Sequence, residues 1–204
     1  MRELTHYIAV TLDGFIAGPD GQFDAFLYEG DHMAALGARF PDAFPTAYAE
    51  AIGLTQDRAL FDTVLMGWNT YAVGLPTLTS PYRHLRQVVF THREAEPVEG
   101  VEFVDEDPVP VVRRLKAEAG SGIWLCGGGA LAAQLAGEID RLVLKVHPVL
   151  FGDGIPLFGR SGYAPEAFSP ASPSPNRRPC RSRPSSPPEP RRLRWTAQRR
   201  SPNR

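Results

Sequence analysis

The chain has 204 residues, enough for one domain with a substantial core, and its 43% hydrophobic and 22% charged residues are ordinary for a globular protein. The net charge of −1 conceals a division: residues 171–204 carry ten Arg, no Lys and a single acid, Glu189, a net +9, which leaves −10 on residues 1–170. An acidic body argues against nucleic-acid binding by bulk charge, and no apolar run reaches the eighteen residues of a membrane span.

In chain order, Tyr7–Leu12 reads as a first buried strand. Asp13-Gly14 opens a glycine-rich loop, with Gly18-Pro19-Asp20-Gly21 as a turn. Asp31 to Ile52 has a helical pattern, interrupted at Pro41 and Pro45. A second strand is expected over Ala59–Met66, a short helix over Thr70–Gly74, and further strands over Arg86–Thr91 and Val101–Val104. Pro108–Ala119 places Val111, Val112 and Leu115 at helical spacing, with prolines suited to its first turn. Gly122–Cys126 is a fifth strand, Ala130–Ala136 a helix and Ile139–Val149 a long sixth strand. Strands alternating with helices predict an α/β fold with a largely parallel sheet. Residues 171–204, with ten Arg, eight Pro and six Ser, bury too little apolar surface to offset their ordering entropy and are expected to be disordered.

Three stretches carry chemistry. Ile123-Trp124-Leu125-Cys126 runs into Gly127-Gly128-Gly129, which opens a helix. Without Cβ atoms the backbone there turns sharply and admits a close ligand, and free N–H groups at a helix start suit a phosphate. The same residues also make a tight turn with no ligand at all. Val64-Leu65-Met66-Gly67-Trp68-Asn69-Thr70-Tyr71 repeats the pattern of strand, glycine and polar helix start, where Asn69 or Thr70 serves as a cap or as a phosphate donor. Thr91-His92-Arg93 ends a strand with hydroxyl and guanidinium groups that grip a 2′-phosphate or stay solvated. Asp13 reads as a turn brace bonded to its own backbone. Asp24 is the candidate catalytic residue, against the reading of a surface carboxylate. Gly152-Asp153-Gly154 is a turn signal.

The chain has no HExxH, no Gly-x-Ser-x-Gly elbow, no Walker A sequence and no spaced GxGxxG, and its five histidines have no metal-ligand spacing, so no metal is expected. Cys126 and Cys180 make no disulfide framework, and no apolar leader follows Met1, which points to the reduced cytoplasm.

Five motifs, taken together in order, resemble the dihydrofolate reductase superfamily. The chain is most similar to its branch related to the C-terminal reductase domain of the riboflavin-biosynthesis deaminase-reductase. The motifs are Thr11–Ala17, Met66–Tyr71, Thr91-His92-Arg93, Gly127-Gly128-Gly129 and Pro148–Phe158. The resemblance implies a three-layer sandwich around a mostly parallel sheet, over residues 1–168, with 169–204 as a separate tail. It implies NADPH as hydride donor, with NADH as the alternative, and a small heterocyclic substrate of pterin, pyrimidinone or riboflavin-precursor type. By matched position, Gly127, Gly128 and Gly129 would meet the pyrophosphate, with Ala130 and Leu131 opening the helix beside it. Gly67, Asn69 and Thr70 would hold phosphates on the adenosine side, where Thr91, His92 and Arg93 border the ribose. Ala9 and Ile16 would flank the nicotinamide. A homodimer is implied by the relatives, with no specific nucleic acid and no membrane as partner.

Three departures qualify this. Trp68 stands where the family often has an Arg for the 2′-phosphate. No acid in Asp31–Ala51 matches the pteridine proton donor of dihydrofolate reductases, which argues against folate reduction and leaves a catalytically inactive nucleotide-binding protein as the alternative function. The two strands that normally follow Pro-Leu-Phe give way to the Arg/Pro/Ser-rich tail. The last hairpin is therefore expected to be missing, as from a frame shift near residues 169–175. Mass spectrometry of the native protein tests this, and a natural product ending in that tail refutes a sequencing or cloning artefact.

Overall fold

The structure is a computed structural model and describes residues 1–159, 165 and 168. The expected tail, the missing last hairpin and the proposed frame shift lie outside the described residues. Six parallel strands form the central sheet: β1 (Leu4–Val10), β3 (Phe61–Gly67), β4 (Arg86–Phe90), β5 (Val101–Val104), β6 (Gly122–Gly127) and β7 (Arg141–Val146). Their order is β5-β4-β3-β6-β1-β7. Two short strands, β2 (Phe15–Ala17) and β8 (Ile155–Pro156), pair antiparallel as a separate sheet.

Helices cover both faces. On one side, α4 (Pro108–Ala117) and α5 (Gly129–Gln134) pack Val111, Val112, Leu115, Leu131 and Leu135 against Leu4, Leu65, Val88, Ile123 and Leu125. On the other, α1 (Asp31–Arg39), a 3-10 turn at Pro41–Ala43 and α2 (Thr46–Ala51) bring Leu36, Phe40, Phe44 and Ala49 against Tyr7, Val64, Met66, Val89 and Trp124. Neighbouring residues such as Val64, Leu65 and Met66 thus serve opposite layers. That is why these strands read as continuous apolar runs.

Arg2, nearly buried, pairs with Asp62 and donates through Nε to the Ser121 carbonyl at 2.8 Å. Lys116 pairs with Asp140 at 2.5 Å, fastening α4 to the entry of β7. Asp42 is fully buried and accepts from the backbone N–H groups of Arg58, Leu60 and Phe61 at 2.9–3.0 Å.

The expected strands and helices are present, with shifted ends. The first strand begins at Leu4 rather than Tyr7, because Thr5 and His6 are buried despite their polarity. The last begins at Arg141 and ends at Val146, as the chain turns where Val149 N–H donates to the His147 carbonyl at 2.8 Å. The small β2–β8 sheet was not expected. Its strands of three and two residues are too short to show a period.

Candidate functional site

The strand order dictates where a ligand can enter. From β3 the chain crosses through α3 (Trp68–Ala72) to β4 on one side, and from β6 it crosses through α5 to β7 on the other. Two adjacent strands whose connections leave in opposite directions open a crevice at their carboxyl ends. The two strand–glycine–helix junctions meet there, since Met66 lies opposite Gly127 in the β3–β6 register. A Cβ on Gly67 would stand 3.9 Å from Gly128 N, and one on Gly128 would stand 3.4 Å from Thr70 Oγ1.

Above this crevice is a cavity of about 650 Å³, within the range of small-molecule and cofactor sites. Five strands bring residues from their carboxyl ends to it: Ala9 of β1, Gly67 of β3, Phe90 of β4, Val104 of β5 and Gly127 of β6. Ile16 and Ala17 of β2 and Ile155 of β8 close one side, and Phe23, Phe26 and Tyr28 reach in from the loop before α1. That loop is tied to the sheet end through Leu27, whose N–H donates to His147 Nδ1 at 3.2 Å and whose carbonyl accepts from His32 Nε2 at 3.1 Å. Burial, with Lys145 and His32 nearby, holds His147 down at about 4, so Nδ1 is free to accept.

The three glycines are not equivalent. Gly127 has φ +151°, a conformation that side-chain-bearing residues rarely adopt, and the Gly127–Gly128 peptide is cis. A Cβ on Gly129 would run into the Pro156 carbonyl, so that residue is glycine to let β8 pack on α5. Gly128 has open space on the cavity side beyond Thr70.

Of the residues singled out by sequence, Ala9, Ile16, Gly67, Trp68, Asn69, Thr70, Thr91, His92, Gly127, Gly128, Gly129, Ala130 and Leu131 line this one cavity. Arg93 stands just outside the lining, its guanidinium 5.6 Å from the centre of the Trp68 ring. Asp24 is exposed and does not line the cavity, so the structure does not bring this candidate catalytic residue to the site. Asp13 bonds its own backbone as expected and does more. It braces across the chain, accepting from Phe151 and Gly152 N–H and from Thr11 Oγ1 (2.8 Å and 2.5 Å for the latter two), and the Thr11 bond first among these holds its carboxyl below the usual range. Sequence reasoning missed Tyr82, Cys126, Glu106 and the aromatic trio Phe23, Phe26 and Tyr28. Three aromatics in a loop otherwise rich in Gly and Asp were the available signal for the trio, whereas Tyr82 offered none.

Among the described residues, no helix is long and apolar enough to cross a membrane, and no group of three His, Cys, Asp or Glu side chains is placed to hold a metal ion.

The RibD C-terminal domain model matches residues 2–168. The chain is 36% identical over 164 residues to the uncharacterized protein YwjB of Bacillus subtilis (strain 168), covering 77% of this chain and 83% of that one. It is 28% identical over 174 residues to YyaP of the same organism, covering 77% and 80%. Among solved structures it resembles a protein assigned to riboflavin biosynthesis from Shewanella sp. PV-4, with TM-score 0.55 and 24% identity over 80% of this chain and 86% of that one. It also resembles the diaminohydroxyphosphoribosylaminopyrimidine deaminase/5-amino-6-(5-phosphoribosylamino)uracil reductase of Thermotoga maritima, with TM-score 0.54 and 20% identity over 81% of this chain and 49% of that one. These two likenesses show a shared fold, that of RibD-like reductases. By its motifs, its parallel sheet and the match over residues 2–168, the chain belongs to the RibD C-terminal domain family.

Proposed function

We propose that the chain is an NAD(P)H-dependent reductase acting on a small heterocycle of pterin, pyrimidinone or riboflavin-precursor type. The observation that carries this reading is the convergence of both glycine junctions on one cavity that continues past Ala9 and Ile16. A dinucleotide fits the residues present: the gap between Gly128 and Thr70 is one that a Cβ would fill. Gly67, Asn69, Thr70 and Gly127–Gly129 would hold its phosphates, with Ala130 and Leu131 alongside. Thr91, His92 and Arg93 would border the adenosine ribose. When bound, the cofactor supplies a hydride equivalent. Ala9 and Ile16 present a small apolar floor, and Phe23, Phe26 and Tyr28 add apolar surface to the wall of the reacting end.

The test is a titration with NADPH and NADH followed by thermal unfolding. A ligand at about 100 times its Kd adds about 2.7 kcal/mol. For a domain of this size that is a rise of about 5–10 °C. No rise with either cofactor refutes the proposal. The exposure of Asp24 favours a second reading, a nucleotide-binding protein without turnover. Binding with no oxidation of the cofactor across pterins, pyrimidinones and flavin precursors supports that second reading. The proposed working form is a cytoplasmic homodimer, which light scattering checks.

A further inference from the structure

Three titratable side chains gather near Ala9: Tyr82 and Cys126, which can each donate, and Lys145, whose ammonium can only donate. Tyr82 and Cys126 line the cavity, with Tyr82 Oη 3.8 Å from Cys126 Sγ. Lys145 lies opposite Ala9 in the β1–β7 register, and its Nζ is 4.6 Å from the centre of the Tyr7 ring. Burial pushes the Cys126 thiol up to about 11, while the Tyr82 hydrogen bond and the Lys145 ammonium pull it the other way, so the thiol stays protonated; burial lowers Lys145 from its ordinary range and Cys126 opposes that shift. Burial also keeps the Tyr82 phenol well above its ordinary range.

Tyr82 is held firmly, and its hydroxyl contacts the Cys126 sulfur. The ring packs edge-on against Trp124 at 4.9 Å, and the backbone N–H donates to Gln87 Oε1 at 3.0 Å. The hydroxyl has only a sulfur beside it, which is a weak acceptor. Two other tyrosine hydroxyls nearby are engaged: Tyr28 donates to the Phe23 carbonyl at 3.2 Å and Tyr71 to the Thr79 carbonyl at 2.8 Å. A phenol sheltered in a cavity normally finds an oxygen or nitrogen partner.

Among the described residues no carboxylate lines this end, although Asp24 acts on Tyr28 from outside the cavity. Among the described residues Glu106 is the one carboxylate lining the cavity; it follows β5 at the far edge of the sheet and is paired with Arg114 at 2.9 Å. Asp42 is consumed by backbone donors.

We propose that Tyr82 and Lys145 make this end of the cleft a donor site, which selects a substrate presenting an acceptor oxygen (carboxylate, carbonyl or lactam) and rejects an amidine-type edge. The inference rests on the reductase reading and narrows its substrate class. The Tyr82 hydroxyl donates to the acceptor oxygen, and the Lys145 ammonium behind Cys126 offsets the negative charge gathered there. A protonated amidine edge brings a second positive charge toward Lys145 and lacks the acceptor oxygen that ammonium favours, so it is disfavoured by like-charge repulsion.

The test uses benzoate and benzamidine, planar probes of similar size and opposite demand, titrated into the full chain with and without NADPH and followed by ligand-observed NMR. Benzoate is expected to bind and benzamidine not to. Tyr82→Phe keeps the ring on Trp124 and Lys145→Met keeps the stem on Tyr7; each is expected to weaken benzoate about tenfold with the melting temperature retained, and Lys145→Arg to restore most of the loss. Benzamidine binding as tightly as benzoate, or benzoate indifferent to both substitutions, overturns the donor site. Should Tyr82→Phe fail to fold, the two Lys145 variants carry the same test. If NADPH does not bind but benzoate still responds to the variants, the reductase reading falls and the donor site stands; the opposite pattern removes the donor site alone.

Discussion

Gly128 and Trp68 are the residues on which the nucleotide reading turns. Gly128 has an extended φ of −105°, which any residue adopts, and a Cβ there would meet only Thr70 Oγ1 at ordinary contact distance. Gly128→Asp should therefore fold, while placing a carboxylate against the phosphates. It is expected to lower NADPH affinity at least about 100-fold by like-charge repulsion with the melting temperature of the free protein retained. Unchanged affinity, measured by nicotinamide fluorescence, rejects the site. Trp68 had been readable only as the residue in place of an arginine; the fold shows that it serves as the platform for Arg93. Trp68→Arg should favour NADPH over NADH about tenfold, since a second guanidinium there adds a charge-assisted bond to the 2′-phosphate alone. Equal effects on both cofactors would mean that position 68 does not face that phosphate.

Among the elements, the turn between α1 and α2 carries a buried carboxylate that ties it to the entry of β3. Asp42 satisfies three backbone donors at the entry to β3 and lies away from the cavity. Asp42→Ala orphans these groups and is expected to cost about 3 kcal/mol, read from urea unfolding, while NADPH affinity stays unchanged. In the sequence Asp42 is one of three acids in the first helical region and nothing marks it out, because its neighbour in space, residues 58–61, begins sixteen residues on in the chain. The long strands and α4 were legible because burial on two faces, or on one helical stripe, leaves a period in the sequence. The β2–β8 pair was not, because its pairing joins residues 15–17 to 155–156. Only that contact explains why position 129 is glycine.

At the scale of the whole molecule, pH tests the packing of the sheet. His6 is fully buried, its Nδ1–H donates to the Leu125 carbonyl at 3.0 Å, and burial holds it down at about 4. It is neutral in the fold and becomes charged in the unfolded chain below its ordinary value of about 6.5. Its contribution is therefore complete above pH about 6.5 and is lost progressively as pH falls toward about 4, on the order of 3 kcal/mol in all. Urea midpoints at pH 7 and pH 4.5 should show this fall in the wild type and a smaller fall in His6→Asn, whose amide can still donate to Leu125. An equal fall in both would mean that His6 is not the group titrating.

The sequence by itself determined the α/β class, the order of the principal elements and the two glycine junctions, because alternation and Gly chemistry are properties of neighbouring residues. Tertiary structure decided that the junctions face one cavity, that Asp24 lies outside it, and that Tyr82, Cys126 and Lys145 gather near Ala9. Those groupings join residues from different segments of the chain, 44 positions apart for Tyr82 and Cys126 and farther for Ala9 and Lys145, through strand register and order. Side-chain periodicity along one segment carries no record of which other segment lies beside it.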